Sequence, residues 1–260
     1  MTDHAERIAE ASTAHALELE AVSRHFGALV ALDSIDLSVH PGERRAVLGA
    51  NGAGKTTLFN CITGDFLPTE GRIRFFGENV TTLPPYQRIR RGLRRTYQNS
   101  LFFRGLSVFD NLFLAVRGAT RGRLSFARSG QDDGTVEQAR SLMGAVHLEP
   151  VAERLVGELS HGEQRQLEIG LALAGAPRFI LFDEPAAGLA PRERAELVAI
   201  LRALPAHIGY IIIEHDLDVA LRVVGSVTVM HNGRIFKEGT PEEIESDPEV
   251  QDIYLGAKHG

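Results

Sequence analysis

The stretch Gly49 to Thr57, GANGAGKTT, restricts what this chain can fold into more than any other. Gly49, Gly54, Lys55 and Thr56 fill the pattern G-x-x-x-x-G-K-[ST], and Thr57 adds a second hydroxyl. The apolar run Ala46-Val47-Leu48 ahead of it is the length of a buried strand, and Thr57 to Ile62 behind it continues as a helix. A strand, a glycine-rich turn and a helix in that order gather backbone N–H groups at a helix N-terminus, where they wrap an oxyanion. The residues Asn51, Gly52, Ala53 and Gly54 form the cradle, and its glycines let the backbone turn with positive φ and approach a phosphate closely. Lys55 supplies a point charge for β- and γ-phosphates, and Thr56 a hydroxyl for Mg²⁺.

A second signal lies where apolar strands stop. Phe179 to Phe182 is a four-residue apolar run, as expected of a strand buried on both faces, and it ends in Asp183-Glu184-Pro185. Tyr210 to Ile213 ends in Glu214-His215-Asp216 in the same way. In open α/β sheets ligands collect at the carboxyl ends of strands, so Asp183 and Glu184 are expected to meet the phosphate loop. Hydrolysis of a nucleoside triphosphate asks a protein for clamped phosphates, a bridging Mg²⁺ and an aligned water. Asp183 suits the metal and Glu184 the water; taken alone, the pair also reads as two acids capping a strand.

The remaining chain frames this site. Ala16 to Arg24 and Leu32 to Val39 alternate as half-buried strands, and Arg72 to Phe76 is a further short one. Pro84 to Gly92, Val108 to Gly118 and Thr135 to Val146 read as helices, with a polar loop from Gly122 to Gly134. A strand pair, Ser226 to Met230 and Arg234 to Glu238, turns at His231-Asn232-Gly233. Thr240-Pro241-Glu242-Glu243 then opens a helix with a capping box and a proline at its first position. No apolar run approaches the roughly 18 residues of a membrane span. The start, MTDHAERIAEASTAHA, lacks the basic and apolar segments of a secretory signal, so residues 1–15 are expected to be a flexible, cytoplasmic N-terminus. Cys61 is the single cysteine, which excludes an internal disulfide, and a net charge of −6 argues against a nucleic-acid binder. Arg88, Arg90, Arg91, Arg94 and Arg95 form a local exception, readable as a solvated helix face, a docking surface near anionic lipid, or both.

Leu159-Ser160-His161-Gly162-Glu163-Gln164 precedes the helical run Arg165 to Leu173. Ser160 and the backbone around Gly162 fit a second anion-binding tip, and Ser160 fits a plain N-cap equally well. Together with GANGAGKTT and FDEP, this segment resembles the signature loop of the ATP-binding cassette family. Further landmarks follow in order: Phe26 as the ring that stacks on adenine, Gln98 as the glutamine loop, Gly188-Leu189-Ala190 as the dimer loop and His215 as the switch histidine. RRTYQ, LSHGEQRQLEIG, FDEPAAGLAP, IIIEHD and the closing GTPEEIESDPEVQDIYLG are similar to ATP-binding subunits of high-affinity importers for branched-chain amino acids and related amides.

The resemblance implies an α/β P-loop NTPase fold: one domain over 16–260, with a RecA-like core, an antiparallel β subdomain and a helical subdomain near 87–171. It implies ATP and Mg²⁺ as ligands. Glu184, His215 and Gln98 would serve catalysis, and Thr56, Gln98 and Asp183 the metal. Two copies, or this chain and a homologous partner, would meet head to tail, with Ser160 and Gly162 of one touching the nucleotide held by Lys55 of the other. An integral-membrane permease would dock near Gln98 and the segment Asn99 to Ser107, keeping the chain on the inner face of the cell membrane. The rivals are a soluble cassette ATPase without a permease and an exporter ATPase of lipopolysaccharide-export type.

Overall fold

The computed structural model describes residues 15–96, 102–119 and 133–256; Gln98, the first fourteen residues and most of the loop from Gly122 lie outside them. Among the described residues, ten strands divide between two sheets. Strands β1 (Leu17–Phe26), β2 (Leu29–Val39), β4 (Glu70–Phe75) and β5 (Glu78–Asn79) form an antiparallel sheet in the order β2-β1-β4-β5. The second sheet runs β10-β9-β3-β8-β7-β6. It uses β3 (Arg44–Leu48), β6 (Leu93–Arg95), β7 (Phe179–Asp183), β8 (Gly209–Ile213), β9 (Ser226–His231) and β10 (Arg234–Gly239). Its neighbours are parallel except for the β9–β10 hairpin at one edge.

The central strands are apolar throughout because both their faces are covered. Ile180, Phe182, Tyr210 and Ile212 point into one core, whereas Phe179, Leu181, Ile211 and Ile213 point into another. This is the period-2 alternation of a strand applied to a sheet with no wet face. One core holds the antiparallel sheet and α1 (Lys55–Thr63), through Leu58, Phe59 and Ile62. The other holds α3 (Val108–Ala119), α4 (Asp133–Ala145), α5 (His161–Leu173), α6 (Pro191–Ala203) and α7 (Leu217–Val223). Helix α4 begins at Asp133, so the last two residues of the expected polar loop are helical.

The chain closes with α8 (Pro241–Glu245) and α9 (Pro248–Gly256). Thr240 caps α8 as the sequence predicts: its Oγ1 accepts from Glu243 N, and the Glu243 carboxylate accepts from Thr240 N.

The arginine run requires a correction. It forms neither a solvated face nor a basic docking surface, because most of its guanidinium groups turn inward. Arg88, in α2 (Pro85–Arg90), is 1% exposed and donates to the carbonyls of Cys61 and Ile62 (both 2.7 Å), Leu83 and Thr81 (both 2.9 Å). It caps the C-terminal end of α1, whose last carbonyls have no helical partner. Burial pushes its pKa down to about 10. Arg91 pairs with Glu78 at 2.6 Å, Arg94 donates to the Ile89 carbonyl, and Arg95 lies beside Asp183; Arg90 is exposed.

Candidate active site

The phosphate loop forms where β3 stops and α1 starts. Gly49 and Gly54 are obligatory there: φ is +152° and +100°, and a Cβ would come within 2.4 Å of the Met230 carbonyl or 2.6 Å of the Ala31 carbonyl. Lys55 is 6% exposed and folds back over the loop, donating from Nζ to the carbonyls of Gly49 (2.7 Å) and Ala50 (3.0 Å). Burial lowers its pKa, while the charges of Glu184 and Asp183 oppose that shift.

Asn51 to Thr57 share a cavity of 310 Å³ with Phe26, Glu184 and His215. The fold therefore brings together residues from four separate stretches of sequence. Phe26 is 40% exposed and is fixed edge-on by Phe66 at 5.4 Å, with the Arg24 guanidinium 4.5 Å from its centroid. The ring lines the cavity, where an aromatic side chain can receive a planar ligand.

Glu184 sits one residue past β7 with φ +50°, an uncommon left-handed conformation for a side chain of this size. Its N–H donates to the Ile213 carbonyl at 2.9 Å, tying it to β8. Its Oε1 lies 2.8 Å from His215 Nε2, so the acid and the histidine form a hydrogen-bonded pair at the cavity wall. Asp183, at the end of β7, is 3% exposed. One of its oxygens, Oδ2, accepts from Arg95, while Oδ1 is buried with no hydrogen-bond partner among the described residues. An orphaned buried carboxylate oxygen next to a phosphate cradle has the chemistry of a magnesium ligand, so the donor set fits that ion.

Ser160 and Gly162 are not at this cavity. They line a separate one of 560 Å³ with Glu163, Gln166, Leu189, Arg192 and Glu193. Ser160 is the N-cap of α5: its Oγ accepts from Glu163 N at 3.2 Å, and Glu163 Oε2 accepts from Ser160 N at 2.6 Å. The cap reading of Ser160 is thus realised within the chain, and its hydroxyl still fronts the second cavity.

Sequence reasoning missed two acids. Glu193 accepts from Gly162 N (3.2 Å) and Ala190 N (2.9 Å), while His161 Nε2 lies 3.1 Å from the Ala187 carbonyl. Together they fasten the start of α5 to the loop after Glu184. Glu214 is 2% exposed and accepts from Ala186 N (2.6 Å) and His215 N (3.2 Å), joining the ends of β7 and β8. Burial pushes its pKa up to about 7 against the pull of the backbone donors, and the charge of Glu184 adds to the rise. Glu193 stands third in a helix that opens with Pro191, the spacing already read at Thr240, so a signal existed there.

Comparison with known proteins identifies the family and the fold. The model of the ABC transporter family matches residues 32–187, and that of the branched-chain amino acid ATP-binding cassette transporter matches 238–260. The chain is 35% identical over 250 residues to BraF of Pseudomonas aeruginosa, a high-affinity branched-chain amino acid transport ATP-binding protein; the match covers 92% of this chain and 97% of that protein. It is 34% identical to LivG of Escherichia coli, described in the same words, over 92% of this chain and 97% of LivG. A crystal structure of the ADP conformation of an ATP-binding cassette of an ABC transporter superposes with a TM-score of 0.83 at 33% identity. It covers 94% of this chain and all of that one. The α/β fold expected from the sequence is the fold of these cassettes.

Proposed function

This chain belongs to the ABC transporter family, as its ATP-hydrolysing subunit, and we propose that it powers uptake of branched-chain amino acids or related small polar solutes. The solute class is supported by the names of the relatives and by the match over residues 238–260. The observation that carries the site assignment is the shared cavity in which Lys55, Thr56, Glu184 and His215 meet.

In this reading adenine stacks on Phe26, and the N–H groups from Asn51 to Thr57 wrap the phosphates. Lys55 exchanges its bonds to the Gly49 and Ala50 carbonyls for phosphate oxygens. Thr56 and Oδ1 of Asp183 would hold Mg²⁺, with Gln98, outside the described residues, as a further oxygen donor. The ion neutralises charge on the β- and γ-phosphates when bound. Glu184 accepts a proton from the attacking water, and His215 fixes the orientation of that carboxylate.

The second cavity explains why one copy is incomplete. Ser160 and Gly162 cannot serve the nucleotide of their own chain, so a second ATP-binding subunit, identical or homologous, would supply them across a head-to-tail pair. Phe103, Leu106 and Leu155, 61%, 36% and 43% exposed, form an apolar patch held together by the Val156 N to Leu106 O bond. Phe103 and Leu106 belong to the described part, 102–107, of the expected coupling segment, and with Leu155 beside them they suit an integral-membrane permease as the partner. No described helix is long and apolar enough to cross a membrane, so attachment to the inner face would run through that permease.

Glu184→Gln tests the scheme. It should retain ATP, lose about 10²–10⁴-fold in turnover, and shift to a dimer in light scattering when Mg-ATP is present. Wild-type turnover would remove Glu184 from the mechanism, and an unchanged monomer would remove the paired site.

A further inference from the structure

The arginine run holds a residue that the nucleotide site has not yet accounted for. Arg95 ends β6, and its side chain is 5% exposed. Nη2 donates to Asp183 Oδ2 at 2.7 Å, and Nη1 donates to Asn60 Oδ1 at 2.6 Å and lies 3.4 Å from Asp65 Oδ2. The guanidinium carbon stands 5.6 Å from the centroid of the buried Phe59 ring. Phe59 and Asn60 belong to α1, the helix that starts at Lys55. One planar cation therefore spans the ends of β6 and β7 and the body of the phosphate-loop helix.

We propose that Arg95 is a positioning residue that locks Asp183 against the phosphate-loop helix and aims its second carboxylate oxygen at the magnesium ion of the nucleotide. The proposal rests on the metal role given to Asp183 above. Its physical basis is the two-oxygen count of a carboxylate: with Oδ2 engaged by Arg95, the side chain can rotate little, and Oδ1 is left buried without a hydrogen-bond partner among the described residues. The backbone repeats the tie, since Asp183 N donates to Thr96 Oγ1 at 3.2 Å and Thr96 N to the Leu181 carbonyl at 2.9 Å. A guanidinium reaches Asp183 and Asn60 at once because its donors are splayed in a rigid plane; an ammonium on a flexible stem is a point charge and cannot hold both. Without the arginine, a carboxylate that is 3% exposed loses its charge partner, which favours a swing away from the cradle.

The test uses the full chain loaded with a non-hydrolysable ATP analogue, and Mn²⁺ as the probe, read by electron paramagnetic resonance. Arg95→Lys should weaken Mn²⁺ about 10–100-fold, the usual effect of losing a group that orients a metal ligand. Affinity for the analogue in EDTA should stay within about twofold of wild type, because the cradle itself is untouched. Asp183→Asn is the reference, and adding Arg95→Lys to it should weaken Mn²⁺ no further. If Arg95→Lys does not fold, Asn60→Ala takes its place, since it removes the far anchor and keeps the ion pair; it should weaken Mn²⁺ in the same sense. Unchanged or tighter Mn²⁺ binding in Arg95→Lys, with Asp183→Asn impaired, overturns the role of Arg95 and leaves the metal role of Asp183 standing. Unchanged binding in Asp183→Asn overturns the metal reading, and the proposal with it.

Discussion

Glu214→Gln isolates a buried acid that makes the stability of this fold depend on pH. The carboxyl group is 2% exposed, and burial raises its pKa from 4.5 to about 7. Ala186, His215 and Asp216 donate backbone hydrogen bonds that pull it down, and Glu184 adds repulsion that pushes it further up. Because the folded value lies above the unfolded one, the native state holds a proton between about pH 4.5 and 7 that the unfolded chain has released. The stabilisation is complete below that window and is lost as pH rises through 7. At about 1.4 kcal/mol per pH unit the whole effect is about 3 kcal/mol, of which roughly 2.5 kcal/mol falls between pH 5 and pH 8. Glutamine carries no such proton. The stability of wild type minus that of Glu214→Gln should therefore fall by that amount from pH 5 to pH 8. Titrating groups that do not interact with Glu214 cancel in the difference. The chain has no tryptophan, so urea unfolding is best followed by far-UV circular dichroism. Parallel stability curves for the two proteins would refute the assignment of this proton to Glu214.

Two further predictions concern the phosphate-loop helix. Arg88→Met strips the cap from the C-terminal end of α1 and leaves buried carbonyls at Ile62, Leu83 and Thr81 without their donor; it should cost about 3–5 kcal/mol. At about 2–4 °C per kcal/mol this lowers the melting temperature by roughly 10 °C, and an unchanged melt contradicts the cap. Lys55→Ala should lose nucleotide affinity and turnover together, by roughly 2.7–4 kcal/mol, in a fluorescent-nucleotide titration paired with phosphate release. Unchanged Mg-ATP affinity would show that the lysine does not reach the phosphates.

The local parts of this molecule were legible from the chain alone. The phosphate loop with its flanking strand and helix, the apolar strands ending in acids and the Thr240 cap are each contained in one unbroken stretch of sequence. Each obeys a short-range rule of spacing or capping. The arginines were misread because charge predicts exposure only when no partner is near. Two of the partners of Arg88, Cys61 and Ile62, lie in α1, and Arg95 reaches Asn60 in α1 and Asp183 at the end of β7, all distant in sequence. The strand Leu93–Arg95 has little intrinsic signal: its place is set by pairing Arg95 with Leu181 across the sheet. Glu193 escaped notice because the residue at the N-cap is Ala190, which has no side-chain oxygen to complete the familiar box. Glu214 was overshadowed by His215 beside it, and only the folded loops show that its carboxylate is received by Ala186.

The left-handed backbone of Glu184 sets durability against turnover at a single position. A residue bearing a Cβ pays about 1–2 kcal/mol to sit at that φ, and glycine does not. Selection for heat resistance alone would enrich glycine at 184 and discard the acid. The strain persists there only while the chain is also selected to work.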